Sequence, residues 1–176
     1  MVKTQIQLDS INLIAINFTN LNQNDILRIL DMRNDTRVSK YMFLDRKITK
    51  KEHFEFIKNL DSAVDRIYFA IKNKKNEILG TISLTNIDME NLSAYIGIYT
   101  NPNLNTSNGS LLMQIIKYIG FEKMGLKKLF AQCLKNNHKA LRFYTKEGFY
   151  EIKTLKNYIK KNDNFIDVVE LVLIKE

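Results

Sequence analysis

The sequence predicts an α/β (α+β) fold in which about seven strands carry helices packed against them. Runs that alternate apolar and polar residues, typical of strands, are separated by segments with apolar residues at helical spacing. The predicted order is strand, helices, three-strand meander, helix, strand, helix and two strands. No internal repeat or linker interrupts this order, so residues 1–176 are expected to form a single domain.

Composition and charge restrict the class of protein. The 176 residues are 45% hydrophobic and 26% charged, as in soluble globular proteins, and no apolar run approaches the ~20 residues that span a bilayer. Met1–Ser10 lacks the apolar core of a signal peptide, and Cys133 is the only cysteine, so a cytoplasmic location is expected. The net charge of +8 suits a polyanionic partner, but no nucleic-acid-binding motif accompanies it.

The N-terminal half is predicted to form one strand and three helical segments. These are a strand over Asn12–Thr19, a helix over Leu21–Met32 capped near Asn22 or Asn24, a further turn over Thr36–Tyr41, and a helix that starts at the capping box Thr49–Glu52. Arg33 lies where the first helix breaks. Met42 and Phe43 form an apolar loop, and His53 lies one turn into the capped helix.

The central part is predicted to be an antiparallel meander followed by a polar loop and a helix. The strands are expected over Arg66–Lys72, Glu77–Asp88 and Leu92–Thr100, with a bulge at Gly80. The loop Asn101–Asn108 leads into a helix that opens at Gly109 or Ser110. A loop that runs into a helix N-terminus presents several backbone N–H groups, as a pyrophosphate requires.

The C-terminal part is predicted to be a strand, a capped helix and a strand pair. The segments are a strand over Lys128–Leu134, a helix that starts at Asn136 or Asn137 and ends before Gly148, and strands over Tyr150–Ile159 and Phe165–Ile174. The last strand is apolar enough to pair either within its own sheet or with a second subunit. A homodimer is therefore one expectation.

The stretch Asn137–Phe149, N-H-K-A-L-R-F-Y-T-K-E-G-F, resembles the cofactor-side helix of the GNAT superfamily of CoA-dependent N-acetyltransferases. The pattern in that family is Asn, then Ala, then Tyr, then Gly-Phe at these spacings, and the order of elements along nearly the whole chain is similar as well. The resemblance implies a mixed, mostly antiparallel GNAT sheet that splays open after its fourth strand. It also implies direct acetyl transfer from acetyl-CoA, with no metal.

The resemblance implies a cofactor site made from a strand end, the loop before a helix and the capped helix. Its expected residues are Ile98, Tyr99, Leu104, Asn105, Asn108, Gly109, Ser110, Asn137, Lys139 and Tyr144. The loop is poorer in glycine than the family pattern, although Asn103, Asn105 and Asn108 tolerate positive φ better than most residues. Tyr144 is expected to protonate the leaving thiolate, since a phenol pKa near ~10 is close to that of a thiol.

The segments M-R-N, Y-M-F, G-T-I-S-L-T and Y-I-G-I-Y-T-N-P resemble a GNAT branch that acetylates nucleotide sugars in pseudaminic acid biosynthesis. The implied acceptor is the 4-amino group of UDP-4-amino-4,6-dideoxy-N-acetyl-β-L-altrosamine, a sugar used for flagellin glycosylation. The resemblance puts Arg33 and His53 near the nucleotide and phosphates, Met42, Phe43 and Tyr99 around the uracil or sugar, and Ser83 and Tyr144 near the reacting atoms.

The proton acceptor is left open by the sequence. Gln132 occupies a strand position from which a carboxylate could serve as base, but a glutamine cannot accept the amine's proton. A water relay through Ser83, or an amine that arrives neutral, is then the hypothesis. Cys133 could take the acetyl group covalently, although an isolated strand cysteine is usually a small core residue.

Two other functions are compatible with the sequence. A protein Nα-acetyltransferase of the ribosomal-protein-modifying type would share the fold, but it would be expected to have an acidic acceptor groove. The basic residues Arg33, Arg37, Lys40, Arg46 and His53 oppose that. A basic module that binds nucleic acid or a phosphorylated ligand without catalysis is the second alternative, and it would leave Tyr144 without a chemical purpose.

Overall fold

A computed structural model, which describes residues 5–8, 11–44, 46–161 and 163–175, contains an eight-stranded sheet with helices on both faces. The strands are β1 (Gln5–Leu8), β2 (Leu13–Asn17), β3 (Ile67–Asn73), β4 (Ile78–Asp88), β5 (Ser93–Thr100), β6 (Lys128–Leu134), β7 (Tyr150–Lys161) and β8 (Asn164–Ile174). The helices are α1 (Gln23–Asn34), α2 (Thr36–Ser39), α3 (Lys50–Leu60), α4 (Gly109–Lys117) and α5 (His138–Lys146). A π-helical turn, Tyr118–Lys123, extends α4.

The sheet has the order β1-β2-β3-β4-β5-β6-β8-β7, and every neighbouring pair is antiparallel except β5 and β6. The parallel pairing covers only Ser93–Ile96 against Lys128–Ala131, although β5 continues to Thr100 and β6 to Leu134. The two strands therefore part halfway along, and the opening expected after the last strand of the meander is confirmed.

The first strand of the sheet was not predicted. β1 pairs antiparallel with β2, with Ile6 half-buried and Leu8 buried. Its short alternation of glutamine and apolar residues is hidden in a polar segment, and an edge strand needs only one neighbour. Residues 1–4, 9 and 10 of that opening segment lie outside the described part of the chain.

Most of the helix caps and strand irregularities predicted from the sequence are present in the structure. Asn22 caps α1 with its side chain. Thr49 and Glu52 form the capping box of α3, with Thr49 N donating to Glu52 Oε2 at 2.8 Å and Glu52 N donating to Thr49 Oγ1 at 3.2 Å. The bulge predicted in β4 is present, because Leu79 is an extra residue opposite the neighbouring strand. β8 pairs with β6 on one side and with β7 on the other, so both edges of β8 are paired within the same sheet.

Two apolar clusters give the sheet two different faces. On the α4–α5 face, residues such as Leu112 and Ile116 pack against alternate residues of the central strands. On the α1–α3 face, Ile29 and Ile57 pack against Ala70 and Ile78. No helix in the described part of the chain has the length and apolar character that crossing a bilayer requires.

A buried ion pair joins α1 to the sheet. Lys72 Nζ lies 2.6 Å from Asp25 Oδ2, and the two side chains are only 5% and 4% exposed. Asn22 Nδ2 donates to the same oxygen at 3.0 Å, and Arg28 Nη1 lies 3.4 Å from Asp25 Oδ1. Because the buried carboxylate has partners for both oxygens, its charge is tolerated, and the pair fixes α1 above β3.

Replacing Lys72 with Met is expected to lower the free energy of unfolding by about 3–5 kcal/mol, because Asp25 stays buried and keeps only the longer contact to the half-exposed Arg28. The double variant Lys72→Met with Asp25→Leu is expected to be closer to the wild type, since neither charge then remains buried. Urea denaturation of the three proteins measures the difference. An equal loss in the single and double variants would contradict this account.

Candidate active site

The candidate site is built where β5 and β6 part. Beyond Ile96, the edge of β5 that faces β6 has no partner among the described strands, while its other edge stays paired with β4 as far as Thr100. An unpaired strand edge offers backbone N–H and C=O groups to an extended ligand. The predicted cofactor positions Ile98 and Tyr99 lie on this edge.

Helix α4 begins at the end of the segment that follows β5. Asn108 is its N-cap residue but makes no side-chain hydrogen bond to the helix. The first-turn N–H groups, at Gly109 and Ser110 among others, therefore have neither an intrahelical acceptor nor a side-chain cap, and they carry the positive end of the helix dipole. This arrangement fits a diphosphate.

The loop before α4 reaches this position without positive φ. Asn103, Asn105 and Asn108 are not among the residues with positive φ, and Asn108 has a φ of −93°. The loop therefore does not depend on the ability of asparagine to adopt positive φ. Hydrogen bonds hold the loop instead: Arg37 Nη1 donates to the Pro102 carbonyl at 2.8 Å, and Arg37 Nη2 donates to Asn103 Oδ1 at 2.7 Å. Leu104 is half-buried and packs against the larger apolar cluster.

Helix α5 starts and ends as predicted. Asn137 Oδ1 accepts from the Ala140 N–H at 3.1 Å, and Asn137 Nδ2 has no hydrogen-bond partner among the described residues. Gly148, with a φ of 92°, ends the helix, and Phe149 N donates to the Tyr144 carbonyl at 3.0 Å. A surface concavity of about 470 Å³ lies beside this N-terminus, and Lys139 is exposed on the first turn.

Tyr144 is buried on the α4–α5 face. Its ring packs between Phe143 and Phe149, with centroid separations of 5.6 Å and 5.3 Å. Burial, and to a lesser extent Cys133, raise the pKa of Tyr144 above its ordinary value, so the phenol keeps its proton at neutral pH. Burial raises the pKa of the Cys133 thiol to about 11, which makes it a poor nucleophile and argues against the covalent role.

Ser83 lies on the opposite face from Tyr144. Its neighbours Ile82 and Leu84 belong to the α4–α5 cluster, so the Ser83 side chain points to the α1–α3 face. Ser83 pairs with Gly97, and a Cβ at Gly97 would lie 2.5 Å from Ser83 Oγ. The glycine therefore leaves room for the hydroxyl at the point where β5 and β6 begin to part.

Arg33 lies in the last turn of α1, on the same face of the sheet as Ser83. Its Nη2 donates to the Leu44 carbonyl at 3.1 Å, whereas its Nη1 is buried and has no partner among the residues described. Burial lowers the pKa of Arg33, and the nearby Tyr99 opposes that change. A buried donor without an acceptor is costly, so a ligand that accepts a hydrogen bond from this nitrogen would be favoured here. Met42, half-buried, and Phe43, exposed, precede Leu44 in the chain.

His53 has a different environment from Arg33. It is 4% exposed, its Nε2 lies 3.2 Å from the Ile26 carbonyl oxygen, and its ring stacks on Phe56. Burial lowers the pKa of His53, so the ring is neutral at pH 7. The side chain supports the packing of α1 on α3, and its contact with a nucleotide phosphate stays a prediction.

One carboxylate in this region was missed by sequence reasoning. Glu170 on β8 is directly opposite Gln132 on β6, and its Oε2 accepts from Gln132 Nε2 at 2.6 Å and from the Tyr95 hydroxyl at 2.9 Å. The available signal was a single glutamate inside the apolar run V-V-E-L-V-L. Among the described residues, no group of three His, Cys, Asp or Glu side chains could hold a metal ion.

Comparisons with known proteins agree with this geometry. The family model described as "Acetyltransferase (GNAT) domain" matches residues 19–169. Acetyltransferase PseH from two Campylobacter jejuni strains is 34% and 35% identical over 133 residues, which are 76% of this chain and 82% of each relative.

Two solved structures share the fold. The C. jejuni N-acetyltransferase PseH in complex with acetyl coenzyme A has a TM-score of 0.71 and 27% identity, covering 93% of this chain and 99% of that one. A spermidine N-acetyltransferase from Vibrio cholerae, in complex with CoA and spermine, has a TM-score of 0.83 and 20% identity, covering 93% of this chain and 95% of that one.

Replacing Gly97 with Ala is expected to lower the free energy of unfolding by about 1–3 kcal/mol, because the added methyl group would overlap Ser83 Oγ. Replacing Ser83 with Ala in the same protein removes the overlapping atom, so the double variant is expected to recover most of the loss. Thermal unfolding measures both changes. If the double variant is as unstable as Gly97→Ala alone, the contact with Ser83 is not the cause.

Proposed function

Because the chain belongs to the GNAT acetyltransferase family and is an acetyl-CoA-dependent N-acetyltransferase, we propose that it acetylates the 4-amino group of a UDP-4-amino-4,6-dideoxy sugar. The main observation in favour of this acceptor is Arg33, whose Nη1 is buried near Tyr99 and has no hydrogen-bond partner in the described part of the chain. A diphosphate supplies the acceptor oxygens that a guanidinium binds best. The similarity to acetyltransferase PseH and the net charge of +8 support the same acceptor.

The apolar surface near Arg33 suits the rest of such a molecule. Met42 and Phe43 precede the residue that Arg33 binds, and Phe43 is 36% exposed although it is a large aromatic residue. Tyr99 packs at the edge of the smaller apolar cluster on the α1–α3 face. A planar base or a deoxy sugar would cover these side chains.

A cationic acceptor fits this region less well. A polyamine or a basic peptide would meet the Arg33 guanidinium, which pairs with no carboxylate of the described residues, and like charges in contact disfavour binding. Arg37 and Arg46 contribute little to this selection, since Asp35 and Glu52 pair with them. The preference for a phosphorylated acceptor therefore rests on Arg33.

The donor's contacts follow from the opening between β5 and β6. The unpaired edge of β5 beyond Ile96 would pair with the pantetheine arm, the first turn of α4 at Gly109 and Ser110 would bind the pyrophosphate, and Asn137 Nδ2 would contact the CoA chain. A backbone N–H on the β5 edge would stabilise negative charge on the carbonyl oxygen during transfer. Tyr144 would give its proton to the leaving thiolate.

The proposal also places the reaction in the cytoplasm, as a step of pseudaminic acid biosynthesis that serves flagellin glycosylation. Its test is the release of CoA thiol from acetyl-CoA with three acceptors: a UDP-4-amino-4,6-dideoxy sugar, spermidine and a basic N-terminal peptide. Turnover with the sugar alone would support the proposal. Turnover with spermidine or the peptide alone would overturn the acceptor and leave the enzyme class intact.

Replacing Tyr144 with Phe is expected to lower kcat by about 10²-fold or more, because the variant cannot protonate the thiolate. The ring packing is kept, so the KM for acetyl-CoA and the melting temperature are expected to stay near the wild-type values. Steady-state kinetics and a thermal melt check both statements. An unchanged kcat would remove Tyr144 from the mechanism.

Replacing Arg33 with Ala is expected to raise the KM for the UDP sugar by about 10- to 100-fold, as for the loss of a charged hydrogen bond, with a smaller effect on the KM for acetyl-CoA. Lys74→Ala removes an equal charge from the exposed β3–β4 turn and serves as the control. Equal increases in both KM values for Arg33→Ala would indicate a folding defect instead.

A further inference from the structure

Three side chains form a hydrogen-bonded cluster that the mechanism above does not use. Glu170 Oε2 accepts from Gln132 Nε2 and from the Tyr95 hydroxyl, at 2.6 Å and 2.9 Å. Glu170 Oε1 has no hydrogen-bond partner in the part of the chain that the structure describes. The ring of Tyr95 also stacks on Phe130, with a centroid separation of 5.3 Å, so the cluster is held in place from both sides.

The strand register places this cluster beside the reaction centre. Ser83 pairs with Gly97, and Gln132 pairs with Glu170. Because Ile96 and Ala131 form the last parallel pair, Gly97 and Gln132 are the next residues on each side of the opening. The four residues thus form one row across the sheet, and the side chains of Ser83, Gln132 and Glu170 lie on the α1–α3 face.

The row brings the carboxylate within reach of an acceptor amine. Neighbouring strands lie ~4.8 Å apart, so only β6 separates Glu170 from the opening. The hydrogen bonds to Gln132 on β6 and to Tyr95 on β5 show that the carboxylate reaches across β6 toward β5. The far end of the β7–β8 hairpin reaches toward α2, where Lys161 Nζ donates to the Lys40 carbonyl at 3.0 Å, so β8 helps to enclose this face.

We propose that Glu170 binds the ammonium group of the acceptor and takes its proton, while Gln132 and Tyr95 position the carboxylate. The inference rests on the proposed function in that the acceptor is an amine. The proposal also accounts for Gln132, an amide that cannot accept a proton although its strand position would suit a base. The carboxylate comes instead from the residue opposite it on the next strand.

The proton transfers balance across the reaction. The ammonium group gives one proton to the Glu170 carboxylate and becomes a neutral amine. A C–N bond to the acetyl carbon then forms and the C–S bond breaks. The departing sulfur takes a proton from Tyr144, and the second proton lost by the nitrogen restores that phenol. Glu170 releases the first proton to solvent, so each turnover of an ammonium acceptor yields an amide, a thiol and one net proton.

Polar neighbours surround the Glu170 carboxylate. Two donors share Oε2, and Lys153 stands directly opposite Glu170 on β7. Burial and the bond to Glu170 raise the pKa of Tyr95 to about 12, with a smaller contribution from Tyr158, so the phenol remains a donor. Because both donors bind Oε2, the other oxygen, Oε1, is left to hold the ammonium group of the acceptor.

The test is the Glu170→Gln variant, which keeps the shape of the side chain and removes the base. Its kcat/KM for the amine at neutral pH is expected to fall about 10²-fold or more, with the KM for acetyl-CoA unchanged. Glu90→Gln, in the exposed β4–β5 turn, makes the same charge change and is expected to behave as the wild type. A kcat/KM for Glu170→Gln within twofold of the wild type would overturn the proposal.

Two further variants separate base catalysis from packing. Exchanging the two side chains, Glu170→Gln with Gln132→Glu, keeps the carboxylate–amide pair and is expected to recover at least about tenfold of the lost rate. Tyr95→Phe removes a donor that positions the carboxylate, so kcat for the amine is expected to fall while the KM for acetyl-CoA stays unchanged. If the exchanged pair recovers no activity and Tyr95→Phe keeps the wild-type kcat, Glu170 is not the base.

The experiments distinguish an error in the proposed acceptor from an error in the role assigned to Glu170. A wild-type protein that acetylates spermidine and not the sugar contradicts the proposed function, and the same variants are then compared with spermidine. A wild-type protein that acetylates either amine while Glu170→Gln does so equally well contradicts only the role of Glu170.

Discussion

The short parallel pairing of β5 with β6 is the constraint on which the rest of the molecule depends. Their hydrogen bonds end at Ile96 and Ala131, yet both strands continue because each keeps a partner on its other side, β4 for β5 and β8 for β6. The sheet can therefore open without losing either strand. Backbone groups that a longer pairing would satisfy are left for a ligand.

The opening connects the two faces of the sheet, and each face contributes different residues to the proposed reaction. On the α4–α5 face, Tyr144 is held in an aromatic contact and the α5 termini are fixed by Asn137 and Gly148. On the other face, Ser83 and Glu170 stand in one row. An acceptor that enters from one side and a thiol that leaves on the other need not compete for space.

Local sequence signals predicted the elements well because each depends on a few neighbouring residues. The caps at Asn22, Thr49 and Asn137 are where they were expected, and the helix after the Asn-rich loop opens at Gly109. Long-range information was harder to obtain. The burial of His53 depends on how α1 packs on α3, and the pairing of Glu170 with Gln132 depends on β8 lying between β6 and β7. Neither arrangement has a local signature.

The row through Gly97 shows that the catalytic carboxylate in such a site cannot be identified from one sequence position alone. Two residues that face each other on adjacent strands, such as Gln132 and Glu170, can exchange a carboxylate and an amide while the charge stays on the same patch of sheet. The hydrogen bond between them survives the exchange, since one partner still donates and the other still accepts. What the chemistry requires is a carboxylate in that row and an opening beside it, so the strand register determines which residue can act.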